Sequence, residues 1–338
     1  MKEAMLYSRR DDSTDCFLCA RFCKIRTGKS GFCQVRRNID GTLYTLVYDK
    51  IVSANPDPIQ KKPLFHFAPG STAFSIATPG CNFRCGFCCN WVISQRSELT
   101  GENIPPDELV SMAIRSGCSG LSYTYTEPTI FFELAYDTAK IAHKKKLYNT
   151  FVTNGYMTPE AVALISPYLD AVTVDFKGSG NSEFYRKNCQ VLDVAPIYSM
   201  LEACKEKGIF IEITNLIIPE IGEYKEDLKK LCGWVVEHLG EELPFHILAF
   251  HPNYKIQDIP STPIKMIDEA IMIAEGAGLK HVYSGNIPGH KNENTYCPNC
   301  KKMVIERYSV YLKENKLKHN LCPYCGYKLN VVDWPETE

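Results

Sequence analysis

Residues 80–90 read GCNFRCGFCCN and place Cys81, Cys85 and Cys88 in a C-x3-C-x2-C spacing directly after an apolar, β-like run. Iron–sulfur clusters normally bind four cysteine thiolates, so three thiolates predict a 4Fe-4S cluster with one open iron. An open coordination position is typical of a catalytic metal. The alternative is a structural zinc loop completed by Cys89, which we disfavour because adjacent Cys88 and Cys89 cannot easily reach one tetrahedral ion.

The chain from Ser71 to about Gly285 alternates short apolar runs with longer amphipathic segments, a pattern that predicts repeated βα units and a parallel sheet. The predicted strands are 72–78, 120–125, 148–153, 169–175, 210–217 and 245–250. The predicted helices include 107–115, 130–143, 159–165, 224–238 and 264–275. These six units predict an α/β fold built on a partial (β/α)6 TIM-type barrel.

Polar residues follow the predicted strands at one end of the sheet. In βα barrels the reactive groups lie at the C-terminal ends of the strands, so we expect these residues to border a site. They are the cysteine loop after the first strand and then, in chain order, Thr126-Glu127-Pro128, Thr153-Asn154-Gly155, Asp175-Phe176-Lys177, Thr214-Asn215 and His251-Pro252.

A chain of 338 residues predicts one large domain with two appendages: a cysteine-rich segment over 1–70, the barrel over 71–290 and a ribbon over 291–338. Eleven of the 16 cysteines fall into three metal-type clusters, and we interpret the other five as buried small hydrophobes. The polar first residues do not resemble a signal peptide, and no apolar run approaches the roughly 18 residues that span a bilayer. We therefore expect a cytoplasmic protein without membrane contact.

The loop, in its C-x3-C-x-aromatic-C form, resembles the radical S-adenosylmethionine (SAM) superfamily. Further landmarks resemble the branch related to pyruvate formate-lyase activase. The ends of the chain, together with the segment DPIQKKPLFHF at residues 57–67, resemble the AmmeMemoRadiSam subgroup, although Gln60 and Cys89 stand where glutamate and glutamine are usual. The resemblance implies that the open iron binds SAM and that an electron from the cluster cleaves it to methionine and a 5′-deoxyadenosyl radical.

The same resemblance implies roles for the strand-end residues. Phe87 would lie against the adenine, Glu127 would accept a hydrogen bond from the methionyl ammonium, and Asp175 with Lys177 would hold the methionyl group. His251 would face the nucleoside, and Asn154 and Asn215 complete the predicted cofactor-binding set. The alternatives are a surface salt bridge for Asp175 and Lys177 and a hydrogen-bonded strand end for His251. The family's two glycines before Glu127 are Tyr125 and Thr126 here.

Two further cysteine sets predict metals. Cys297, Cys300, Cys322 and Cys325 form C-x2-C-x21-C-x2-C, a spacing typical of a zinc ribbon, with a rubredoxin-type iron as the alternative. Four N-terminal cysteines form C-x2-C-x3-C-x9-C, which suits either structural zinc or an auxiliary 4Fe-4S cluster equally well. They are Cys16, Cys19, Cys23 and Cys33.

The leading hypothesis is an enzyme whose SAM-derived radical abstracts hydrogen from a large substrate, as the glycyl-radical activases do. Its partners would be a flavodoxin or ferredoxin as electron donor and, by the subgroup resemblance, AMMECR-domain and Memo-domain proteins. Because residues 1–40 carry nine Lys/Arg against five Asp/Glu and residues 291–330 carry eight against three, RNA is an alternative substrate. Transfer of a 3-amino-3-carboxypropyl group and a non-catalytic iron–sulfur or zinc scaffold also stay open.

Overall fold

The computed structural model describes residues 1–95, 98–221 and 224–334. Its N-terminal part consists of short antiparallel strands. One three-stranded sheet joins β1 (Lys2–Glu3), β6 (Thr42–Thr45) and β5 (Arg36–Ile39), and a second joins β2 (Tyr7–Arg9), β3 (Ser13–Cys16) and β4 (Lys24–Arg26). The two sheets lie around the N-terminal cysteines, because β3 ends at Cys16 and β5 begins three residues after Cys33. A separate pair joins β7 (Lys50–Ile51) to β10 (Glu102–Asn103).

An eight-stranded sheet forms the centre of the molecule. Its strands are β8 (Ser53–Pro58), β9 (Thr72–Ala77), β11 (Gly120–Tyr123), β12 (Tyr148–Thr153), β13 (Ala171–Lys177), β14 (Phe210–Ile217), β15 (Pro244–Ala249) and β16 (His281–Gly285). From β16 to β9 the strands follow chain order in reverse and all pairs are parallel, while β8 adds an antiparallel edge beyond β9. Both faces of a parallel sheet are covered by other parts of the chain, and the sequences of its strands are therefore near-continuous apolar runs.

All six predicted strands are present, with ends shifted by at most two residues. The parallel sheet contains a seventh strand, β16, whose short sequence HVYSG carries too few apolar residues to stand out by periodicity. The edge strand β8 was also missed, since its two prolines argue against a strand except at an edge. In strand order the sheet is open, and its shape as a partial barrel stays a prediction.

Helices connect the parallel strands. They are α1 (Trp91–Ser94), α2 (Pro106–Arg115), α3 (Phe132–Lys144), α4 (Pro159–Ile165), α5 (Ser182–Cys189), α6 (Ala195–Glu206), α7 (Tyr224–His238) and α8 (Ile264–Gly276). The main hydrophobic core lies between the sheet and these helices and extends to the N-terminal cysteines. Within the described residues, no helix combines the length and the apolar character that crossing a membrane requires.

The segment 57–67 closes the N-terminal edge of the sheet. The Phe67 ring packs against Tyr148 and Phe210, which are the first residues of β12 and β14, at centroid distances of 5.4 and 6.0 Å. Next to it, the backbone N–H of His66 donates to Glu212 on β14 at 2.7 Å. The aromatic rings of this segment therefore cover the beginnings of two strands at that edge of the sheet.

Three antiparallel strands, β17 (Thr295–Tyr296), β18 (Met303–Tyr308) and β19 (Tyr311–Asn315), form the C-terminal module; the last four residues of the predicted ribbon lie outside the described part. The buried Arg307 on β18 fixes this module to the sheet, because its guanidinium donates to the carbonyl oxygen of Phe65 at 2.8 Å. The module also has a small core of its own, which includes two of its cysteines.

Candidate functional site

The loop that follows β9 borders a cavity of about 510 Å³ at the C-terminal ends of the parallel strands. Cys81, Cys85 and Cys88 all line it. The loop lies tightly on the N-terminal segment: at Gly80, where φ is +100°, a Cβ atom would lie 2.7 Å from Val35 Cγ1 and 3.2 Å from the Cys33 carbonyl oxygen. Glycine is therefore required at this position for both its backbone conformation and its size.

The environment of the three thiols fits an iron–sulfur cluster. Burial raises the pKa of Cys81 and Cys88, and for Cys85 a hydrogen bond with the thiol of Cys189 raises the pKa further. Buried thiolates therefore need a cation, which bound iron would supply. No three of the described ligand atoms in this loop, Cys89 included, lie within 4.8 Å of one another. That spread is too wide for one tetrahedral zinc ion and disfavours the zinc alternative.

Glu127 lies in the wall of the cavity and is almost completely buried. One of its oxygens accepts hydrogen bonds from the backbone N–H and hydroxyl of Thr129 and from the hydroxyl of Thr153, at 3.0, 2.5 and 2.7 Å. The other accepts a single bond from the backbone N–H of Asn154 at 2.8 Å, so that oxygen has capacity for one more donor. Burial raises the pKa of this carboxyl group.

Asp175 and Lys177 both line the cavity, as alternation along β13 predicts. Their charged groups are 4.0 Å apart, and Thr214 on the neighbouring strand donates to Asp175 at 2.6 Å. Burial alone would lower the pKa of Lys177, but Asp175 and the nearby thiols outweigh it and raise the pKa. The site therefore presents one anionic and one cationic group side by side, an arrangement that suits a zwitterion such as an amino acid.

Phe87 and Asn154 also line this cavity. The ring of Phe87 packs against Phe184 at 5.8 Å between centroids. The side-chain amide of Asn154 donates to Asn82 Oδ1 at 2.7 Å and lies 3.9 Å from the Cys81 sulfur. The structure thus brings five of the seven predicted cofactor-binding residues to one cavity with the three cysteines.

The remaining two predicted cofactor-binding residues do not line that cavity. Asn215 accepts a hydrogen bond from the backbone N–H of Ser179 at 2.9 Å, on the opposite face of β14 from Thr214. Strand alternation contains this information, since only one of two consecutive residues can face the cavity. His251 is exposed beyond the end of β15, with its ring nitrogens 3.1 Å from Ser261 Oγ and from the Asn286 carbonyl oxygen.

A polar cluster beside the cavity was not predicted. Lys62 is 1% exposed, and its ammonium donates to Asp57 at 2.9 Å and to the Tyr125 hydroxyl at 3.2 Å. Burial lowers the pKa of Lys62 to about 8, even though Asp57 acts in the opposite direction. Lys61 and Tyr125 line the cavity directly. The resemblance of the segment 57–67 to the subgroup was the sequence feature that could have indicated this cluster, but the sequence did not reveal which residues the segment contacts.

The four C-terminal cysteines form the compact group expected of one tetrahedral metal. Their sulfur atoms all lie within 4.8 Å of one another, with Cys297 and Cys325 at 3.6 Å and Cys300 and Cys322 at 3.7 Å. The backbone N–H of Tyr327 lowers the pKa of Cys325 to about 6, which favours its thiolate form. The N-terminal four, Cys16, Cys19, Cys23 and Cys33, converge on a separate gap beneath the loop.

Comparison with known proteins gives consistent matches. A family model described as the radical SAM superfamily matches residues 75–235. An uncharacterized protein of Methanocaldococcus jannaschii is 44% identical over 337 residues, which cover 98% of this chain and 100% of that protein. The pyruvate formate-lyase-activating enzyme of Clostridium pasteurianum is 26% identical over 199 residues, covering 53% of this chain and 80% of that protein.

Among solved structures, a radical SAM methyltransferase from Sphaerobacter thermophilus matches with a TM-score of 0.51. The match covers 65% of this chain and 68% of that chain at 14% sequence identity. At that identity the likeness concerns the fold alone.

Proposed function

This chain belongs to the radical SAM superfamily and is an enzyme, and we propose that it uses SAM to abstract hydrogen from a macromolecular substrate. Cys81, Cys85 and Cys88 would hold the 4Fe-4S cluster that the superfamily implies. When bound, this cluster supplies an electron, and SAM supplies the 5′-deoxyadenosyl radical. The observation that carries the proposal is the single cavity that these cysteines share with the charged pair at the end of β13.

The residues around the cavity would orient SAM. The free capacity on Glu127 suits the methionyl ammonium, and Lys177 beside Asp175 suits the carboxylate and ammonium of the same group. Phe87 offers a ring face for the adenine. Val152, Leu216 and Leu248 add apolar side chains to the walls, which would limit the access of water to the reacting carbon.

An anaerobic assay tests this function. Reconstituted protein with dithionite and SAM should release 5′-deoxyadenosine, and Cys85→Ala should abolish that release. Cys118→Ala is the matched control, because Cys118 is also buried but precedes β11, at the end of the parallel strands opposite to the three cysteines. Release of 5′-methylthioadenosine would indicate 3-amino-3-carboxypropyl chemistry instead, and no cleavage by cluster-loaded wild-type protein would leave only the scaffold hypothesis.

The C-terminal module would bind zinc through Cys297, Cys300, Cys322 and Cys325, since a Zn–S bond of 2.3 Å implies sulfur separations of about 3.8 Å in a tetrahedron. This structural site would stabilise a module whose own core is small. Membership of the AmmeMemoRadiSam subgroup, and the AMMECR-domain and Memo-domain partners, stay predictions of the resemblance. Enzymes of this superfamily typically take their electron from a flavodoxin or ferredoxin.

RNA is the second candidate substrate, and the exposed surface of the C-terminal module favours it. Exposed aromatic rings stand beside lysines there, and the ammonium of Lys302 lies 4.6 Å from the ring centroid of Tyr324. Such surfaces stack bases and contact phosphates. Binding of RNA that weakens steeply with salt, and that Tyr308→Ala and Tyr311→Ala reduce, would support this substrate; no binding at low salt would exclude it.

A further inference from the structure

The N-terminal cysteines converge although they come from separate strands and turns. Cys16 ends β3 and its backbone N–H donates to the Cys23 carbonyl oxygen at 2.9 Å, while Cys33 precedes β5. Together with Cys19 they line a narrow gap with a volume of about 10 Å³, so the four side chains surround the space closely. Two of the four, Cys16 and Cys33, are buried and the other two are half-buried.

The sulfur spacing distinguishes this gap from the C-terminal module. There, pairs of sulfurs are 3.6 and 3.7 Å apart and all four lie within 4.8 Å. Among the described N-terminal residues, no three sulfurs come within 4.8 Å of one another. One zinc ion would require separations of about 3.8 Å, whereas a four-iron cube holds its ligand sulfurs at separate corners and therefore farther apart. The sequence leaves the choice between zinc and an iron–sulfur cluster open, and this sulfur spacing favours the cluster.

A buried guanidinium points to an anionic occupant of the gap. Arg36 is 2% exposed and lines the gap, and one of its nitrogens is paired with Glu133 at 2.8 Å. Its Nε and Nη1 atoms have no hydrogen-bond partner among the described residues. Arg21 also lines the gap, and its Nη2 atom is likewise unpartnered there. Buried donors need acceptors, and the sulfides and thiolates of an iron–sulfur cluster would provide them.

The gap is adjacent to the loop that carries Cys81. Asn82 borders the gap, and its backbone carbonyl oxygen accepts a bond from Arg21 Nε at 3.0 Å. The side chain of Asn82 accepts a bond from Asn154 at 2.7 Å, and Asn154 lines the SAM cavity. In addition, Arg84 in the loop donates to the carbonyl oxygen of Phe32 at 2.6 Å. One layer of residues thus separates the two cysteine sets.

We propose that Cys16, Cys19, Cys23 and Cys33 bind a second 4Fe-4S cluster, which relays electrons to the cluster at the three-cysteine loop. A low-potential one-electron carrier protein would reduce the N-terminal cluster by one electron. That cluster would then be reoxidised as the same electron passes to the loop cluster, which uses it for cleavage of SAM. The relay rests on the proposed function, whereas the presence of the N-terminal cluster does not.

The first experiment counts iron in full-length protein reconstituted anaerobically. Wild type should hold about eight irons and eight sulfides per chain, as two cubes require. A Cys81→Ala/Cys85→Ala/Cys88→Ala variant should keep about half of both, with an electron paramagnetic resonance signal that SAM does not change. A Cys16→Ala/Cys19→Ala/Cys23→Ala variant should keep only the SAM-responsive signal, and Cys118→Ala should keep both signals.

Zinc in place of the missing iron, or a wild-type chain with one cluster and two zinc ions, would overturn the proposal. If either triple variant fails to fold, the wild-type protein answers the question. Its Mössbauer intensity distinguishes two iron–sulfur cubes from one without any substitution. This result does not depend on SAM cleavage, so loss of the proposed function and loss of the second cluster are separate outcomes.

The relay has its own readout. With a reduced ferredoxin or flavodoxin as the donor, the N-terminal triple variant should lose reduction of its loop cluster, measured by rapid-freeze electron paramagnetic resonance. Cys118→Ala should be reduced as fast as wild type. Equal rates of loop-cluster reduction in wild type and the triple variant would refute the relay and leave the N-terminal cluster with a structural role.

Discussion

At the scale of single residues, Glu127 shows how one carboxylate can serve the site and the fold together. Its two oxygens accept bonds from the loops after β11 and β12, through Thr129, Thr153 and Asn154. Because it is buried, every lost acceptor would leave a donor unsatisfied. The position of Asn154 next to Cys81 therefore depends on Glu127, even before any ligand binds.

Glu127→Gln should lower the free energy of unfolding by about 1–3 kcal/mol, because the amide nitrogen would face donors that now have an acceptor. Anaerobic denaturant unfolding measures this change. The exposed Glu202→Gln serves as the control and should leave the midpoint where it is. An unchanged midpoint in Glu127→Gln would contradict the hydrogen-bond arrangement described for this carboxylate.

The lowered pKa of Lys62 predicts how the stability of the fold depends on pH. Its pKa is about 8 in the folded chain and near 10.5 when unfolded, so between these values the unfolded chain binds more protons. Stability contributed through this residue should therefore rise as pH increases from 8 to 10.5. Lys62→Met removes this contribution, and we expect the stability difference between wild type and Lys62→Met to shift in favour of wild type across that window.

Urea unfolding at several pH values between 7 and 10.5 measures the difference. Lys61→Met is the matched comparison, because Lys61 also pairs with Asp57 but its ammonium is partly exposed and its pKa is raised. A wild-type advantage over Lys62→Met that stays constant over the window would show that Lys62 keeps its ordinary pKa.

At the scale of elements, the segment 57–67 connects the site to the opposite end of the sheet. Its Lys61 lines the cavity and its Lys62 contacts the cavity residue Tyr125, whereas its Phe65 and Phe67 pack against aromatic side chains of the strands. The hydroxyl of Thr173 on β13 donates to the Lys62 carbonyl oxygen at 2.6 Å, and this bond fixes the position of the segment relative to β13. A substitution at either end of the segment can therefore shift β13 and β14, the strands that carry Asp175 and Thr214.

Phe67→Ala should cost about 3–5 kcal/mol of stability, because it removes a buried ring from contacts with three aromatic neighbours. Thermal or denaturant unfolding of anaerobic protein measures the loss. The largely exposed Leu192→Ala should change stability by less than about 0.5 kcal/mol. A Phe67→Ala variant as stable as wild type would mean that the segment does not seal the sheet.

At the scale of the whole molecule, the three cysteine sets belong to three different parts of the chain and have different surroundings. The N-terminal segment packs on the loop after β9, and the C-terminal module is fixed by Arg307 beneath β16. Only the loop set faces the large cavity that also holds the charged pair of β13. The three sets should therefore respond differently to the loss of a ligand.

Cys322→Ala should lose the bound metal of the C-terminal module and lower stability by several kcal/mol, because a metal site of this kind contributes directly to folding. SAM cleavage per folded, cluster-loaded chain should stay near the wild-type rate. Metal analysis and 5′-deoxyadenosine release on the same sample test both halves. Loss of SAM cleavage equal to that of Cys85→Ala would contradict this division.

The sequence could predict features that depend on local spacing. The C-x3-C-x2-C loop, the ribbon spacing and the apolar runs of six strands are all encoded within a few residues, because ligand geometry and strand periodicity act over that range. Alternation along β14 also contained the orientation of Asn215, although the prediction placed Asn215 with Thr214. Five of the predicted cofactor-binding residues therefore share one cavity with the three cysteines, and their roles stay a prediction.

The sequence by itself determined that three cysteine sets exist and that the apolar strand β9 leads into the set of three cysteines. The tertiary structure decided how far apart the sulfurs of each set lie, and therefore which set suits a single ion. It also decided that Lys62 meets Tyr125 and that Arg36 faces the N-terminal cysteines. Those contacts join residues far apart in sequence, and their distances follow from the packing of whole elements rather than from local periodicity.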